Sequence, residues 1–387
     1  MRLIYLTSKS YPASTADHIY ILQLARGFFH VLREDFLLVV AGNRSEPVRS
    51  SHQDGQTSDH TTASDDFRNL PVYRVGWRYG RFRTIFYFFW LPYFIISHKH
   101  AGHSTVFFSN DPNLLLVLIF WRIVFYYRIV SDWHMLFNDW RDRFIMQKSD
   151  QLITTSQKLK NAMIQTSGIR EETTCVAYGG INLALYQPLD QSAARTLLRL
   201  PQDKYIVAYI GFFKTLGMEK GVGTMIEALP LLPENILMLF VGGSDREITE
   251  YQKFADARHV GNRCIFIGKK KPTELPPYEQ AADLLSIPYP DLPHFRDYGF
   301  PMKVYEYMAS RRPIVYSKLE LVEEVIGDCA FGFIPGSMQD FARAVQEAAS
   351  HPDQAKAYAE SAYAKVQNYT WNRKAEQIAD FITSSSR

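Results

Sequence analysis

Lys303 and Glu306 stand three residues apart in the run Met302-Lys303-Val304-Tyr305-Glu306, directly after Pro301. Proline suits the first turn of a helix, because its missing N–H would have gone unpaired there. The pattern predicts a helix over 301–309 whose opening amides, those of Met302, Lys303 and Val304, point out of its start beside the Lys303 ammonium. Such an end can hold an anion, and a nucleotide's diphosphate fits it in charge and reach. Glu306 rises from nearly the same face one turn on, where ribose hydroxyls would need a carboxylate. A solvated surface pair has the same spacing, so the local pattern leaves both readings open.

Two further groups carry possible chemistry. The apolar run Tyr205–Gly211 reads as a strand buried on both faces, and it leads through a glycine-containing connection to Lys220-Gly221 and a helix over 222–229. A lysine in a glycine-rich strand-to-helix connection suits phosphate, and Lys214 lies in the same connection. The strand Arg128-Ile-Val-Ser-Asp-Trp ends at His134. A neutral imidazole there can hydrogen-bond sugar hydroxyls. A structural histidine is the other reading, with Asp132 as the local alternative.

The elements that must position these groups follow from length and pattern. A chain of 387 residues is too long for one ordinary core and fits two domains. The order of strand Leu3–Leu6, long polar loop, amphipathic helix from His18 and strand Phe36–Val40 is a βαβ unit and predicts a parallel sheet. Similar alternation continues to the end of the chain, so the fold class is α/β. The linker is expected after Pro188, giving domains 1–188 and 189–368 and a last helical segment 369–387 that packs back on the first. Trp371 in that segment reads as a packing anchor.

The net charge of +3 is too small to argue for nucleic acid. Cys175, Cys264 and Cys329 are scattered and lack metal spacing, which fits a reduced, cytoplasmic compartment. The first residues read as a strand rather than a leader. With no acidic cluster of ligand spacing, neither metal nor other cofactor is expected. Residues 44–70 are polar and read as a loop. Residues 78–100 hold an aromatic run flanked by basic residues and interrupted by Pro92. The run is too short to span a bilayer. It fits either a core helix or a helix lying on an anionic membrane surface.

The segment Gly299–Val315 resembles the donor-site signature of family 4 glycosyltransferases in its Ser-Pro-x-Lys-x-x-Glu-Tyr-Met-Ala-x-x-x-Pro-Ile-Val variant, and the likeness runs on through Leu321–Ile326. That resemblance implies a GT-B fold, two Rossmann-like doubly wound domains facing across a cleft, with the second holding a UDP- or GDP-linked sugar. It implies retention at the anomeric carbon. Donor contacts would come from Gly299, Phe300, Met302, Lys303, Val304 and Glu306, with Glu306 on the ribose. Lys220 matches the lysine of the family's Gly-Arg-Leu-x-x-x-Lys-Gly and would sit on the diphosphate. His134 matches the strand-end histidine facing the donor sugar, so Lys220 and His134 are the expected catalytic positions. Ser14, Thr15 and His18 resemble the acceptor-side loop and helix, and Asp111 ends a strand that also matches. His18 reads equally as a helix-start hydrogen-bonding group. Two departures stand out: Tyr298 replaces a carboxylate, and Phe212 replaces the arginine, for which Lys214 is a candidate substitute.

The expectation is therefore a retaining glycosyltransferase acting on a glycan or lipid-linked acceptor, with membrane contact through 78–100 at the inner face of a membrane. The rival is a non-catalytic nucleotide-sugar-binding subunit, motivated by Tyr298 and Phe212. A Rossmann oxidoreductase would want a Gly-x-Gly-x-x-Gly fingerprint that the chain lacks.

Overall fold

A computed structural model of the chain describes residues 1–11, 16–42, 69–76, 82–98, 104–298 and 302–384. Ser14, Thr15, Gly299, Phe300, Pro301 and most of 44–70, with both basic flanks of 82–98, lie outside the described residues. The chain divides into two compact units, residues 1–180 with 371–387, and residues 181–370. The division falls at Gly180 and Ile181 rather than after Pro188.

The first unit is built on a seven-stranded sheet of β1 (Arg2–Ser10), β2 (Phe36–Ala41), β3 (Val72–Val75), β4 (Thr105–Ser109), β5 (Arg128–Trp133), β6 (Gln151–Thr154) and β7 (Thr174–Val176). All pairings are parallel and the order is β3-β2-β1-β4-β5-β6-β7. Strands covered on both faces need continuous apolar sequence, and Leu3–Leu6 and Val106–Phe108 are buried throughout. The helices are α1 (Ala16–Leu32), α2 (Arg83–Ser97), α3 (Pro112–Trp121), α4 (Trp140–Lys148) and α5 (Gln157–Ser167). Sequence sets their starts: Asp111 caps α3 by accepting from the amides of Asn113 (3.0 Å) and Leu114 (3.4 Å), with Pro112 in the first turn. Ser156 caps α5 through the Leu159 amide at 3.1 Å, and Gly168 ends that helix in the left-handed region at φ 67°.

The second unit carries β8 (Tyr205–Ile210), a two-stranded antiparallel hairpin of β9 (Lys214–Thr215) and β10 (Met218–Glu219), then β11 (Ile236–Gly243), β12 (Cys264–Gly268), β13 (Leu284–Ile287), β14 (Ile314–Ser317) and β15 (Phe331–Phe333). Six of these strands form a parallel sheet in the order β12-β11-β8-β13-β14-β15. Its helices are α6 (Gln191–Leu198), α7 (Val222–Ala228), α8 (Asp245–Asp256), α9 (Leu275–Ala281), α10 (Met302–Ala309), α11 (Glu320–Ile326), α12 (Met338–Ser350) and α13 (Pro352–Val366).

The last helix, α14 (Trp371–Ser384), returns to the first unit and packs along α1. A β-carbon on Gly27 would meet the Trp371 carbonyl oxygen at 2.6 Å, so that glycine permits the close approach. Gly180 lies directly under the Trp371 indole, and Tyr20 meets the same ring edge-on at 5.5 Å. The buried Lys374 donates to the Ala177 carbonyl at 2.7 Å and stands 4.9 Å from the Tyr20 ring centre. Burial lowers its pKa to about 8.

Candidate functional site

Open parallel sheets bind ligands beyond the carboxyl ends of the strands, where the strand order reverses. In the first unit that point lies between β1 and its neighbours β2 and β4. A cavity of about 320 Å³ opens there, lined by Ser8, Lys9, Asp17, Arg83, Asp111 and His134 among others. The His134 Nε2–H donates to Asp132 Oδ2 at 3.1 Å, and the Tyr20 hydroxyl donates to the same oxygen at 3.0 Å. A carboxylate can only accept, so this contact fixes the proton of neutral His134 on Nε2 and leaves Nδ1 as the acceptor. Tyr20 also packs edge-on against the imidazole at 4.3 Å. The second Asp132 oxygen is buried and has no hydrogen-bond partner among the described residues.

Asp111 lines the cavity while it caps α3 and accepts from the Ser8 hydroxyl. Arg83, the first residue of α2, donates from Nη1 to the Ser8 carbonyl at 3.2 Å. Lys9 and Asp17 pair at 3.2 Å on the cavity lining. His18 is absent from that lining; its Nε2–H donates to the Ser10 carbonyl at 3.2 Å, and its ring meets Tyr11 at 5.0 Å. Burial, and then Lys9, lowers its pKa.

In the second unit the reversal lies between β8 and its neighbours β11 and β13. The Tyr307 hydroxyl, on α10, accepts from the Ile210 amide at 2.9 Å and so ties that helix to the carboxyl end of β8. One turn earlier, Lys303 reaches toward Gly211, whose φ is +145°, and stands 5.6 Å from the Tyr209 ring centre. Lys220 closes the hairpin connection by donating its amide to the Phe213 carbonyl at 3.0 Å. Gly221 follows at φ +89°, with the Pro288 carbonyl packed where a β-carbon would lie. Lys220 Nζ is 6.0 Å from the Tyr289 ring centre.

The two ammonium groups have no carboxylate in ion-pair contact among the described residues. Burial, and then repulsion from Lys303, lowers the Lys220 pKa to about 8. His294, also lowered by burial, feels Lys220 as well. Glu306 is half-buried one turn after Lys303. Behind it, Glu279 on α9 is fully buried; burial first, and Glu306 second, raise its pKa to about 8. The Tyr186 hydroxyl lies close enough to favour its ionised form, yet neither Glu279 oxygen has a hydrogen-bond partner of normal geometry among the described residues.

The structure thus brings Lys220, Lys303 and Glu306 together with the start of α10, and places Met302 and Val304 in that first turn. Lys214 is held elsewhere: its Nζ pairs with Glu250 of α8 at 3.1 Å. The hairpin directs it there, so it does not join the other two lysines. Phe212 is exposed, with Lys269 Nζ 5.2 Å from its ring centre. Sequence reasoning missed Arg83, Lys9, Asp17 and Glu279. Arg83 alone had a signal, as the last cation before an aromatic run. No group of three or more potential metal ligands lies together among the described residues.

Two parallel, doubly wound sheets, each carrying a polar cluster at the carboxyl edge of its strands, define an α/β chain of the GT-B class with two Rossmann-like units. The fold is similar to sucrose-phosphate synthase from Thermosynechococcus elongatus, with a TM-score of 0.71 at 19% identity over 100% of this chain and 99% of that one. It is similar also to the Anabaena protein HepE in complex with UDP, with a TM-score of 0.73 at 20% identity over 99% of this chain and 100% of that one. Within the class, residues 190–365 match the family model described as Glycosyl transferases group 1. A D-inositol 3-phosphate glycosyltransferase of Mycobacterium leprae is 23% identical over 243 residues, which is 60% of this chain and 54% of that relative. The match therefore spans about half the length of that relative.

Proposed function

We propose that the protein is a family 4 glycosyltransferase that moves a sugar from a nucleotide-sugar donor to a hydroxyl of a glycan or lipid-linked acceptor, with retention at the anomeric carbon. The observation that carries this reading is the convergence of Lys220 and Lys303, both without an ion-pair partner among the described residues, at the carboxyl end of β8. Placing two like charges together costs free energy, which a bound diphosphate would offset. The start of α10 adds backbone amides to the same place, and Glu306 stands one turn behind for the ribose. HepE, alike in fold, is known in complex with UDP and with UDP-glucose.

In this mechanism the donor's anomeric C–O bond to the diphosphate breaks while the acceptor hydroxyl oxygen forms the new C–O bond, and the hydroxyl proton passes to the departing diphosphate oxygen. The developing charge on the departing diphosphate is stabilised by Lys220, Lys303 and the α10 amides. The first unit holds the acceptor, with Asp132 orienting His134 toward sugar hydroxyls. Catalysis then comes from positioning and charge. Calorimetric titration with UDP and GDP tests the donor site, and transfer from matched sugar nucleotides tests the enzyme. Absence of binding to either nucleotide sinks the proposal, and NMR of the first-formed anomer decides retention.

A non-catalytic nucleotide-sugar binder is the second reading, favoured by Phe212 standing where the resemblance expects an arginine. Nucleotide binding without turnover of any sugar nucleotide would favour it.

Work at a cytoplasmic membrane surface, in polysaccharide or glycolipid synthesis, belongs to the same proposal. Ile85, Phe89, Tyr93 and Ile96 form one exposed stripe along α2, and Phe88 packs on Phe120 and Trp121, so the apolar surface continues onto α3. No helix among the described residues is long and apolar enough to cross a membrane. The occupant we assign is an anionic lipid surface, matched by the basic residues that flank 82–98 in sequence. Cosedimentation with anionic vesicles at low salt should be lost in Phe89→Asp; an unbound parent protein would refute it.

A further inference from the structure

The second unit holds another cavity, of about 550 Å³, at the amino ends of β8, β13 and β14, and so at the opposite end of the sheet from Lys220 and Lys303. Arg311, Arg312 and Lys356 line it. They come from two places, the turn after α10 and the second turn of α13, and none of them has a carboxylate in ion-pair contact among the described residues.

Of the three cations, Arg312 shows why ordinary packing does not account for the group. Arg311 adopts φ +59°, a region that disfavours any side chain and where glycine is the cheap choice. The dipole of α10 favours a cation past its last turn, and stacking of Arg311 on the Tyr363 ring at 3.7 Å orders the guanidinium. That stacking does not involve Arg312. Its Nε is buried without a hydrogen-bond partner among the described residues, and burial lowers its pKa. Asp283, the nearby acid, is already taken: it accepts from Arg195 Nη2 at 2.5 Å, the Ile206 amide at 2.6 Å and Gln191 Nε2 at 3.0 Å. Glu360 is the other carboxylate on the lining, so the three cations leave an excess of positive charge. A buried, unpaired guanidinium N–H is costly, and a bound anion removes that cost.

We propose that this cavity is a second anion site, which takes a soluble phosphorylated small molecule through Arg311, Arg312 and Lys356. Its volume is in the range of pockets for small ligands, and guanidinium groups match phosphate oxygens in geometry. The site does not depend on the donor-site reading, since it shares no residue with it.

The test uses the full chain carrying Lys220→Ala and Lys303→Ala, so that the first cluster no longer competes, with inorganic pyrophosphate as the calorimetric probe. One binding event is expected. Adding Arg312→Gln should weaken it at least tenfold. Lys356→Gln, on an exposed position of α13 where folding is not at risk, should do the same. No binding in the double variant, or less than a threefold change with Lys356→Gln, overturns the proposal. Vesicles containing phosphatidic acid form the second arm: binding to vesicles without binding to pyrophosphate overturns the small-molecule assignment and points to a lipid headgroup.

Discussion

Lys303 extends so close to Gly211 that its Nζ fills the space a β-carbon on that glycine would take. The glycine's φ of +145° and its missing side chain are both used there. Gly211→Ala should therefore displace the ammonium and weaken nucleoside diphosphate binding about tenfold, approaching the loss in Lys303→Ala, where one charge-assisted contact is worth about 1.5–3 kcal/mol. Calorimetry on both variants checks this. Unchanged affinity in Gly211→Ala would show that Lys303 is not at the diphosphate.

Lys220, with its pKa lowered from 10.5 to about 8, is charged below that pH and neutral above it. A diphosphate favours the charged form, so affinity should hold steady below about pH 7 and fall by up to about tenfold per unit above pH 8. Glu279 ionises in the same window and adds a negative charge nearby, which deepens the fall. Comparing pH profiles of the Glu279→Gln protein and its Lys220→Gln derivative isolates the lysine. A slope that survives Lys220→Gln unchanged would assign the effect to another group.

Glu279 also sets a stability profile. Its folded pKa of about 8 lies above its ordinary value of 4.5, so the native state holds a proton that the unfolded chain releases. The carboxyl's contribution is fully present below about pH 4.5 and is lost as pH rises through 8. Relative to Glu279→Gln, the parent protein should lose on the order of a few kcal/mol between pH 5 and pH 8.5, measured by urea unfolding. Parallel curves would mean that the carboxyl ionises normally.

Asp132 acts on His134 through its hydrogen bond at 3.1 Å. Asp132→Asn keeps the shape and removes the charge that holds the imidazole tautomer. The transfer rate should drop at least about tenfold, while UDP affinity stays within about twofold because the second unit is untouched. Joint loss of both would indicate a general folding defect instead.

Gly180→Ala should destabilise the first unit by about 1–3 kcal/mol, since the added methyl meets the Trp371 indole. Thermal unfolding measures the shift. Trp371→Leu in the same chain should recover part of it, as the ring that collides is gone.

Much of the architecture can be read in the sequence because its signals are local. Apolar runs such as Tyr205–Ile210 announce strands covered on both faces, and Asp111-Pro112 and Ser156 announce helix starts. Short or weakly patterned elements do not announce themselves. Strand β3 has four residues, and α4 has polar residues around most of its circumference. The same holds for groups whose role is set by distant chain. Glu279 sits in a seven-residue helix containing two prolines, too short for periodicity to say which face is buried. The pairing of Lys214 with Glu250 follows from the β9–β10 hairpin, and the cavity of Arg312 and Lys356 joins segments far apart in sequence. The positions of Lys220, Lys303 and His134, though not their roles, could be read from sequence, because each lies beside the end of a strand or the start of a helix within its own motif.

The chain leaves the first unit after Gly180 and re-enters it at Trp371. During translation, residues 181–370 emerge as one uninterrupted stretch that can close on itself. The earlier-made portion still lacks the indole over Gly180 and the ammonium that binds the Ala177 carbonyl. Although it precedes residues 181–370 in the chain, the sheet of the first unit would then mature after them, its assembly waiting on the arrival of α14.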